Sequence, residues 1–183
     1  QYGQIFKLNP DVADIADKVG TPWGNVVLLV LGAVEQGGGG CACPESILIR
    51  ALVTDLVLYK DDALIMDMEA GVEHLGRATA RGVDTMLVVV EPGQRSIDCA
   101  LRVLRMGHQI GLKDLRIVAN KITCPEDEAF IRAALPDHPI LGAIPFNEAI
   151  RRSDMQGMSV LDALPEADLE PYVQVLGALE KKT

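Results

Sequence analysis

Short hydrophobic runs alternate along this chain with longer stretches in which hydrophobic residues recur every three or four positions. The short runs are rich in branched side chains and hydrophobic at consecutive positions, which is typical of strands buried on both faces of a parallel sheet. Five such runs lie at Asn25 to Val34, Ala63 to Asp67, Asp84 to Val90, Leu115 to Asn120 and Pro139 to Ile144.

The longer stretches have the period of amphipathic helices and separate most of the predicted strands. They lie at Glu45 to Tyr59, Ser96 to Ile110, Asp127 to Leu135 and Ala167 to Lys181. Strands that alternate with helices predict an α/β fold, in which right-handed crossovers build a parallel sheet with helices on both faces. No linker, repeat or boundary is evident, so we expect residues 1–183 to belong to one domain.

Polar residues and glycines follow each predicted strand. In open α/β sheets, ligands bind outside the carboxyl ends of the strands, so these residues are the first place to look for chemistry. They are Gly37 to Cys43, Asp67 to Gly71, Glu91 to Gly93, Asn120 with Lys121, and Pro145 to Asn147.

A hydrophobic run that ends in Asp67 has the form of a Walker B element. A carboxylate at a strand tip can hold a magnesium-bound water beside a nucleotide phosphate. Gly71 can offer its backbone N–H to a terminal phosphate, because a residue without Cβ permits close approach. The alternative is structural, with Asp67 capping the helix that follows it.

Asn120 and Lys121 form an Asn-Lys pair directly after a strand, as in proteins that read a nucleotide base. An amide can exchange two hydrogen bonds with a purine edge, and the lysine stem can pack on the ring. The alternative is a solvated turn with no ligand.

Four glycines, Gly37 to Gly40, lead into Cys41 and Cys43, which are separated by one alanine. Two thiolates suit Zn²⁺, Ni²⁺, Cu⁺ or an iron–sulfur cluster, yet they supply only half of a four-ligand site. The simplest source of the missing ligands is the same loop in a second subunit. The alternative is a pair of inert loop cysteines.

Composition narrows the class of protein. The 183 residues are 49% hydrophobic but only 4% aromatic, so the core must be aliphatic. The net charge of −9 argues against nucleic-acid binding, which favours a basic face. No hydrophobic stretch is long enough to span a membrane, and four cysteines without a secretory signal predict free thiols or a metal in a cytoplasmic protein.

Four segments together resemble one family. They are FKLNPDVADI (Phe6 to Ile15), GGGGCACPE (Gly37 to Glu45), DMEAGVEHLGR (Asp67 to Arg77) and VVVEPGQRSI (Val88 to Ile97). In combination they are similar to the CooC-type accessory ATPases of carbon monoxide dehydrogenase. This family lies in the group of P-loop ATPases that contains MinD, ParA and the nitrogenase iron protein. The likeness extends over essentially the whole chain.

The resemblance implies a role for each candidate residue. Asp67 and Gly71 match the Walker B and switch II segment that distinguishes ATP from ADP, with Mg²⁺ as the counter-ion. Asn120 matches an adenine-contacting asparagine, and Pro145, Phe146 and Asn147 match a loop beside the base. Cys41 and Cys43 match a Cys-x-Cys that binds nickel or zinc between the subunits of a homodimer.

The implied activity is ATP-dependent nickel insertion into carbon monoxide dehydrogenase. The nitrogenase iron protein has its second cluster cysteine in switch II, but Asp67 to Arg81 contains none, which disfavours a bridging iron–sulfur cluster. Two alternatives stay open. One is a related ATPase that serves acetyl-CoA synthase or an iron–sulfur protein. The other is a MinD-type positioning protein, which usually binds membranes through a basic C-terminal helix. Ala167 to Thr183 disfavours it, because Asp168, Glu170 and Glu180 stand against Lys181 and Lys182 and leave a poor basic face.

No G-x-x-x-x-G-K-[ST] loop occurs in these residues, whereas the family has one on its first and central strand. We therefore expect an N-terminally truncated P-loop domain that lacks the first strand and the phosphate loop. On its own, such a chain is expected not to hydrolyse ATP. A sheet that lacks its central strand exposes a long hydrophobic edge. That edge is expected to make the chain poorly soluble or to drive a swapped assembly.

Overall fold

A computed structural model describes residues 20–30, 63–68 and 83–180 of the chain. The chain divides into two compact units, Gln1–Val83 and Asp84–Thr183, and each is described by itself. The predicted helix at Glu45 to Tyr59 lies outside the described residues.

The first unit contains a small antiparallel hairpin. Strand β1 (Thr21–Trp23) pairs with β2 (Val26–Leu28) across a two-residue turn, and the hairpin residues are exposed. The prediction of a buried parallel strand at Asn25 to Val34 is therefore wrong for its described part. Gly24 has a φ of +59°, which permits the tight turn, so β2 pairs with its immediate sequence neighbour instead of a distant strand.

The predicted strand at Ala63 to Asp67 is also wrong. Residues 63–68 have no regular secondary structure, and Ile65 is 89% exposed. A strand needs a neighbour that accepts and donates its backbone hydrogen bonds. Neither described strand of this unit pairs with these residues.

The second unit is built on three parallel strands in the order β3-β4-β5, which confirms the α/β fold class. Strand β3 is Met86–Val90, β4 is Leu115–Ile122 and β5 is Ile140–Pro145. Each lies within two residues of its predicted position. Helix α1 (Gln94–Gln109) connects β3 to β4 and packs on β3, while α2 (Pro125–Ala134) connects β4 to β5 and packs on β4.

Short helices complete the second unit after β5. Helix α3 is Glu148–Met155, α4 is Val160–Ala163, a 3₁₀ helix covers Glu166–Leu169, and α5 is Glu170–Glu180. Helix α5 packs on β5. The predicted helix at Ala167 to Lys181 thus begins with a 3₁₀ turn, and Pro171 lies in the first turn of α5, where proline is tolerated.

The core lies around the central strand. Residues 115–119 of β4 are buried without interruption, whereas β3 alternates, with Met86, Val88 and Val90 buried and the residues between them exposed. Burial on both faces, predicted for every strand, thus holds for residues 115–119 of β4 but not for β3. The largest fully buried side chains are Leu104, Ile117, Ile131, Leu135, Val90 and Ser153. Within the described ranges, no helix has the length and hydrophobicity needed to cross a membrane.

Candidate functional site

Asn120 and Lys121 form a β-bulge at the carboxyl end of the central strand. Ala119 of β4 lies opposite Ala143 of β5, and Ile122 lies opposite Pro145. The two residues Asn120 and Lys121 therefore face the single residue Ile144. A bulge of this kind leaves one residue out of the ladder, bends the strand and changes the direction of its side chains. The Asn-Lys pair lies where the sheet stops being regular.

The backbone of Lys121 is strained. Its φ of +56° lies in the left-handed region, and among the described residues it is the one non-glycine with a positive φ. This region costs an L-residue about 1–2 kcal/mol. Strain of this kind persists only where surrounding pairings impose it, and it tends to lie at functional sites.

The Lys121 side chain reaches from the end of β4 to the end of β3. Its Nζ lies 2.7 Å from Oε1 of Glu91, the first residue after β3. The two side chains are 54% and 48% exposed, so the pair adds little to stability. The contact directs the Lys121 ammonium group towards the end of β3, on the side of β4 that faces away from β5.

The loop after β5 is fixed by its own hydrogen bonds. The backbone N–H of Phe146 donates to the carbonyl of Ile122 at 2.9 Å, which joins the loop to the end of β4. Asn147 is the N-cap of α3, and its Oδ1 accepts from the N–H of Ala149 at 2.8 Å. Phe146 is 46% exposed, so part of its ring is open to a ligand.

The turn that follows the bulge is also held in place. The carboxylate of Asp127 accepts hydrogen bonds from the Thr123 hydroxyl at 2.6 Å and from the Thr123 N–H at 2.8 Å. These bonds, the hydroxyl bond first, lower the pKa of Asp127 from its usual value of 3.8. The N–H of Cys124, the N-cap of α2, donates to the same carboxylate at 3.3 Å. The start of α2 thereby anchors the end of β4.

The structure brings five of the predicted residues to one edge of the sheet. Asn120 and Lys121 lie at the end of β4, and Pro145, Phe146 and Asn147 lie at the end of the neighbouring strand β5. Asp67 belongs to the other unit, where its side chain is exposed. Gly71, Cys41 and Cys43 lie outside the described residues. Within residues 20–30, 63–68 and 83–180, no cluster of three or more His, Cys, Asp or Glu side chains could hold a metal ion.

This edge has the groups that a purine base requires. The Asn120 amide offers a donor and an acceptor, the Lys121 stem is hydrophobic, and the Phe146 ring is partly open.

The bulge and the Lys121–Glu91 pair were not predictable from spacing, because both depend on which strand neighbours β4. Sequence reasoning missed Asp168, whose carboxylate accepts a hydrogen bond from Asn147 Nδ2 at 2.9 Å, because Asp168 is 21 residues away in sequence.

Relatives of known sequence match nearly the whole chain. An uncharacterised ATP-binding protein of Methanocaldococcus jannaschii is 39% identical over 186 aligned residues, which cover all of this chain and 72% of the relative. The carbon monoxide dehydrogenase accessory protein CooC of Rhodospirillum rubrum is 35% identical over 179 residues, which cover 98% of this chain and 68% of CooC. The chain belongs to the CooC-type family of P-loop ATPases. The resemblance in the four sequence segments is thereby confirmed.

Structural neighbours of this CooC-type chain are more distant. The MinD cell division protein of Aquifex aeolicus gives a TM-score of 0.47 at 22% identity, and the MinC:MinD complex of the same organism gives 0.49 at 19%. The alignments cover 57% and 59% of this chain and about half of each matched chain. No family model matches the chain. The family assignment rests on the sequence relatives.

Proposed function

We propose that this chain is part of an ATP-dependent maturation factor that delivers nickel to carbon monoxide dehydrogenase. The observation that carries the proposal is the 35% identity to CooC over 98% of the chain. The arrangement at the ends of β4 and β5 supports it, because the base-contacting residues expected of such an ATPase lie at the ends of adjacent strands.

In this proposal, ATP or ADP lies with its base against the edge formed by Asn120, Lys121 and the Pro145-to-Asn147 loop. The Asn120 amide reads the purine, while the Lys121 stem and the Phe146 ring contact its faces. Asp67 would hold Mg²⁺ through a bound water, and its exposure suits a hydrated cation. When bound, Mg²⁺ neutralises charge on the phosphates. Gly71 would offer its N–H to the terminal phosphate.

Nickel, or zinc in its place, is cargo in this scheme. Cys41 and Cys43 of two subunits would supply four thiolates across a homodimer interface, which is a complete set for either metal. Four thiolates arrange square-planar around Ni²⁺ and tetrahedrally around Zn²⁺. We further propose that the protein works in the cytoplasm, without binding nucleic acid or membranes.

The test is metal binding by the full-length gene product, titrated with Ni²⁺ under anaerobic conditions and followed by thiolate-to-nickel absorption. We expect one Ni²⁺ per two chains, with loss of the absorption band in the double variant Cys41→Ser/Cys43→Ser. The matched control is Cys99→Ser/Cys124→Ser, which removes the two exposed cysteines of the described residues and should bind nickel normally.

Two results would contradict the proposal. One is stoichiometric nickel in the Cys41→Ser/Cys43→Ser variant. The other is wild-type protein that fails to bind ATP or fails to bind nickel. A direct assay of function adds the nickel-loaded protein, with and without ATP, to nickel-free carbon monoxide dehydrogenase and measures recovered CO oxidation.

A second candidate differs only in the client. The relative at 39% identity is described by its ATP binding alone, so this similarity favours an ATPase without indicating its partner. Such a protein would bind ATP and metal as above but leave nickel-free carbon monoxide dehydrogenase inactive. Recovery of that enzyme's activity therefore distinguishes the two candidates.

A further inference from the structure

Asn147 makes two side-chain hydrogen bonds that leave its amide a single orientation. Its Oδ1 accepts from the N–H of Ala149 at 2.8 Å, and its Nδ2 donates to Oδ2 of Asp168 at 2.9 Å. The Ala149 N–H needs an acceptor, which is the amide oxygen of Asn147, and the Asp168 carboxylate needs a donor, which is the amide nitrogen. A flipped amide would therefore lose both bonds. The bond to Asp168 is charge-assisted, which strengthens it, while its exposure to solvent reduces that gain.

Asp168 reaches this loop from a different part of the unit. It lies in the 3₁₀ helix at Glu166–Leu169, and its own N–H donates to the carbonyl of Pro165 at 2.9 Å. The 3₁₀ helix runs directly into α5, which packs on β5. The Asn147–Asp168 bond therefore joins the loop at the end of β5 to the helix that packs on the same strand.

The same loop is joined to β4 on its other side, through the bond from the Phe146 N–H to the Ile122 carbonyl. A loop bonded at both ends keeps one conformation before a ligand arrives. A ligand then loses less free energy in ordering the loop, so its affinity rises without any new contact.

We infer that Asp168 is a positioning residue for nucleotide binding, which orients Asn147 and thereby the base-side loop Pro145 to Asn147. This inference rests on the proposed function, because it assumes that the base lies against this loop. Asp168 is not expected to touch the nucleotide. Its effect should be confined to the base, because the hydrogen bonds that transmit it end at this loop.

The test measures binding of ATP and of inorganic tripolyphosphate, each with Mg²⁺, by calorimetry on the full-length gene product. Asp168→Ala should weaken ATP by roughly three- to tenfold, as expected for loss of one charge-assisted hydrogen bond. Tripolyphosphate has no base, so its affinity should be unchanged. A purely structural role would weaken both ligands alike or neither of them.

A reciprocal exchange makes the test sharper. Asn147→Asp alone keeps a capping oxygen for the Ala149 N–H but sets two carboxylates against each other, so ATP should bind more weakly than to wild type. In the double variant Asn147→Asp/Asp168→Asn, the new amide donates to the new carboxylate and the bond is restored with donor and acceptor exchanged. ATP affinity should then recover to near the wild-type value.

The matched control is Asp162→Asn, an exposed aspartate on α4 of the same unit, which should bind both ligands like wild type. Wild-type ATP affinity in both Asp168→Ala and Asn147→Asp would overturn the inference, as would equal losses for ATP and tripolyphosphate. A wild-type protein that binds no ATP would contradict the proposed function instead, so the two failures are distinguishable.

Discussion

At the scale of single residues, the left-handed backbone of Lys121 is the feature with the most direct consequence. A glycine adopts a φ of +56° without steric cost, whereas a β-branched residue is the least suited to it. We therefore expect Lys121→Val to be about 1–2 kcal/mol less stable than Lys121→Gly in urea unfolding.

The control for this prediction is the same pair of substitutions at Lys113, which is exposed and lies outside the positive-φ positions. At Lys113 the valine variant should be as stable as the glycine variant or more stable, because glycine adds unfolded-state entropy without relieving strain. Equal stability of the two Lys121 variants would show that the backbone of Lys121 carries no strain.

Asp114 gives a second prediction at this scale, on pH dependence. Its carboxylate accepts from Nε of Arg116 at 2.8 and 3.0 Å and from the Thr85 hydroxyl at 2.7 Å. The Arg116 bond is the main cause that lowers the pKa of Asp114 below its ordinary 3.8, and burial opposes it. A lowered pKa stabilises the folded protein above pH 3.8, and the stabilisation disappears as the pH falls through the folded-state pKa.

Asp114→Asn should accordingly lower the melting temperature by several degrees at about pH 5 to 7, with the difference from wild type narrowing steadily below about pH 4. The control is Asp137→Asn, at an exposed aspartate in the loop before β5, which should leave the melting temperature close to that of wild type. A difference that stayed constant down to about pH 2 would mean that the Asp114 carboxylate is not the stabilising group.

At the scale of elements, the packing of α5 on β5 depends on a glycine. A Cβ built on Gly142 of β5 would lie 2.9 Å from Cγ2 of Val175 on α5, and valine has little rotamer freedom to move away. Gly142→Ala should therefore lower the free energy of unfolding by about 1–3 kcal/mol through overpacking.

The double variant Gly142→Ala/Val175→Ala tests whether that contact is the cause. Removing the valine methyls makes room for the new one, so the two substitutions should together cost less than the sum of their separate effects. Strict additivity in a double-mutant cycle would place the cause elsewhere. The same comparison also tests how far the packing of α5 on β5 stabilises the 3₁₀ helix that contains Asp168, because that helix continues into α5.

Elements also show where sequence patterns were sufficient and where they were not. The runs at Leu115 to Asn120 and Asp84 to Val90 became neighbouring parallel strands, because the helix that follows each strand in sequence packs on it and covers its buried residues. The equally hydrophobic run at Asn25 to Val34 contributed an exposed hairpin strand instead, since Gly24 offered a closer pairing partner. A hydrophobic run alone does not decide whether a strand forms, since the run at Ala63 to Asp67 formed none. Both the strand and its partner depend on turns and on competing strands.

At the scale of the whole molecule, the proposed metal site requires a second copy of the chain. Cys41 and Cys43 provide two ligands, and a four-coordinate metal needs two more. We expect Ni²⁺ or Zn²⁺ to shift the apo full-length protein towards a dimer in sedimentation velocity, and a chelator to reverse the shift.

The variant Cys41→Ser/Cys43→Ser should show no metal-dependent change in sedimentation, whereas Cys99→Ser/Cys124→Ser should dimerise like wild type. Metal-induced association of the Cys41→Ser/Cys43→Ser variant would show that other residues bridge the subunits. This measurement is independent of ATP, so it tests the Cys-x-Cys assignment even if nucleotide binding proves weak.

The sequence by itself determined the class of fold, the positions of β3, β4 and β5 and the edge on which Asn120 and Asn147 lie. The strands follow from the pattern of hydrophobic residues, which is a local property. The edge follows from the general rule that parallel strands present their carboxyl ends on the same side of a sheet. Tertiary structure alone decided the bulge at Asn120 and Lys121, the Lys121–Glu91 pair and the bond from Asn147 to Asp168. Each of these features depends on residues from different elements that strand pairing or helix packing brings together. The spacing of residues along the sequence does not specify such contacts.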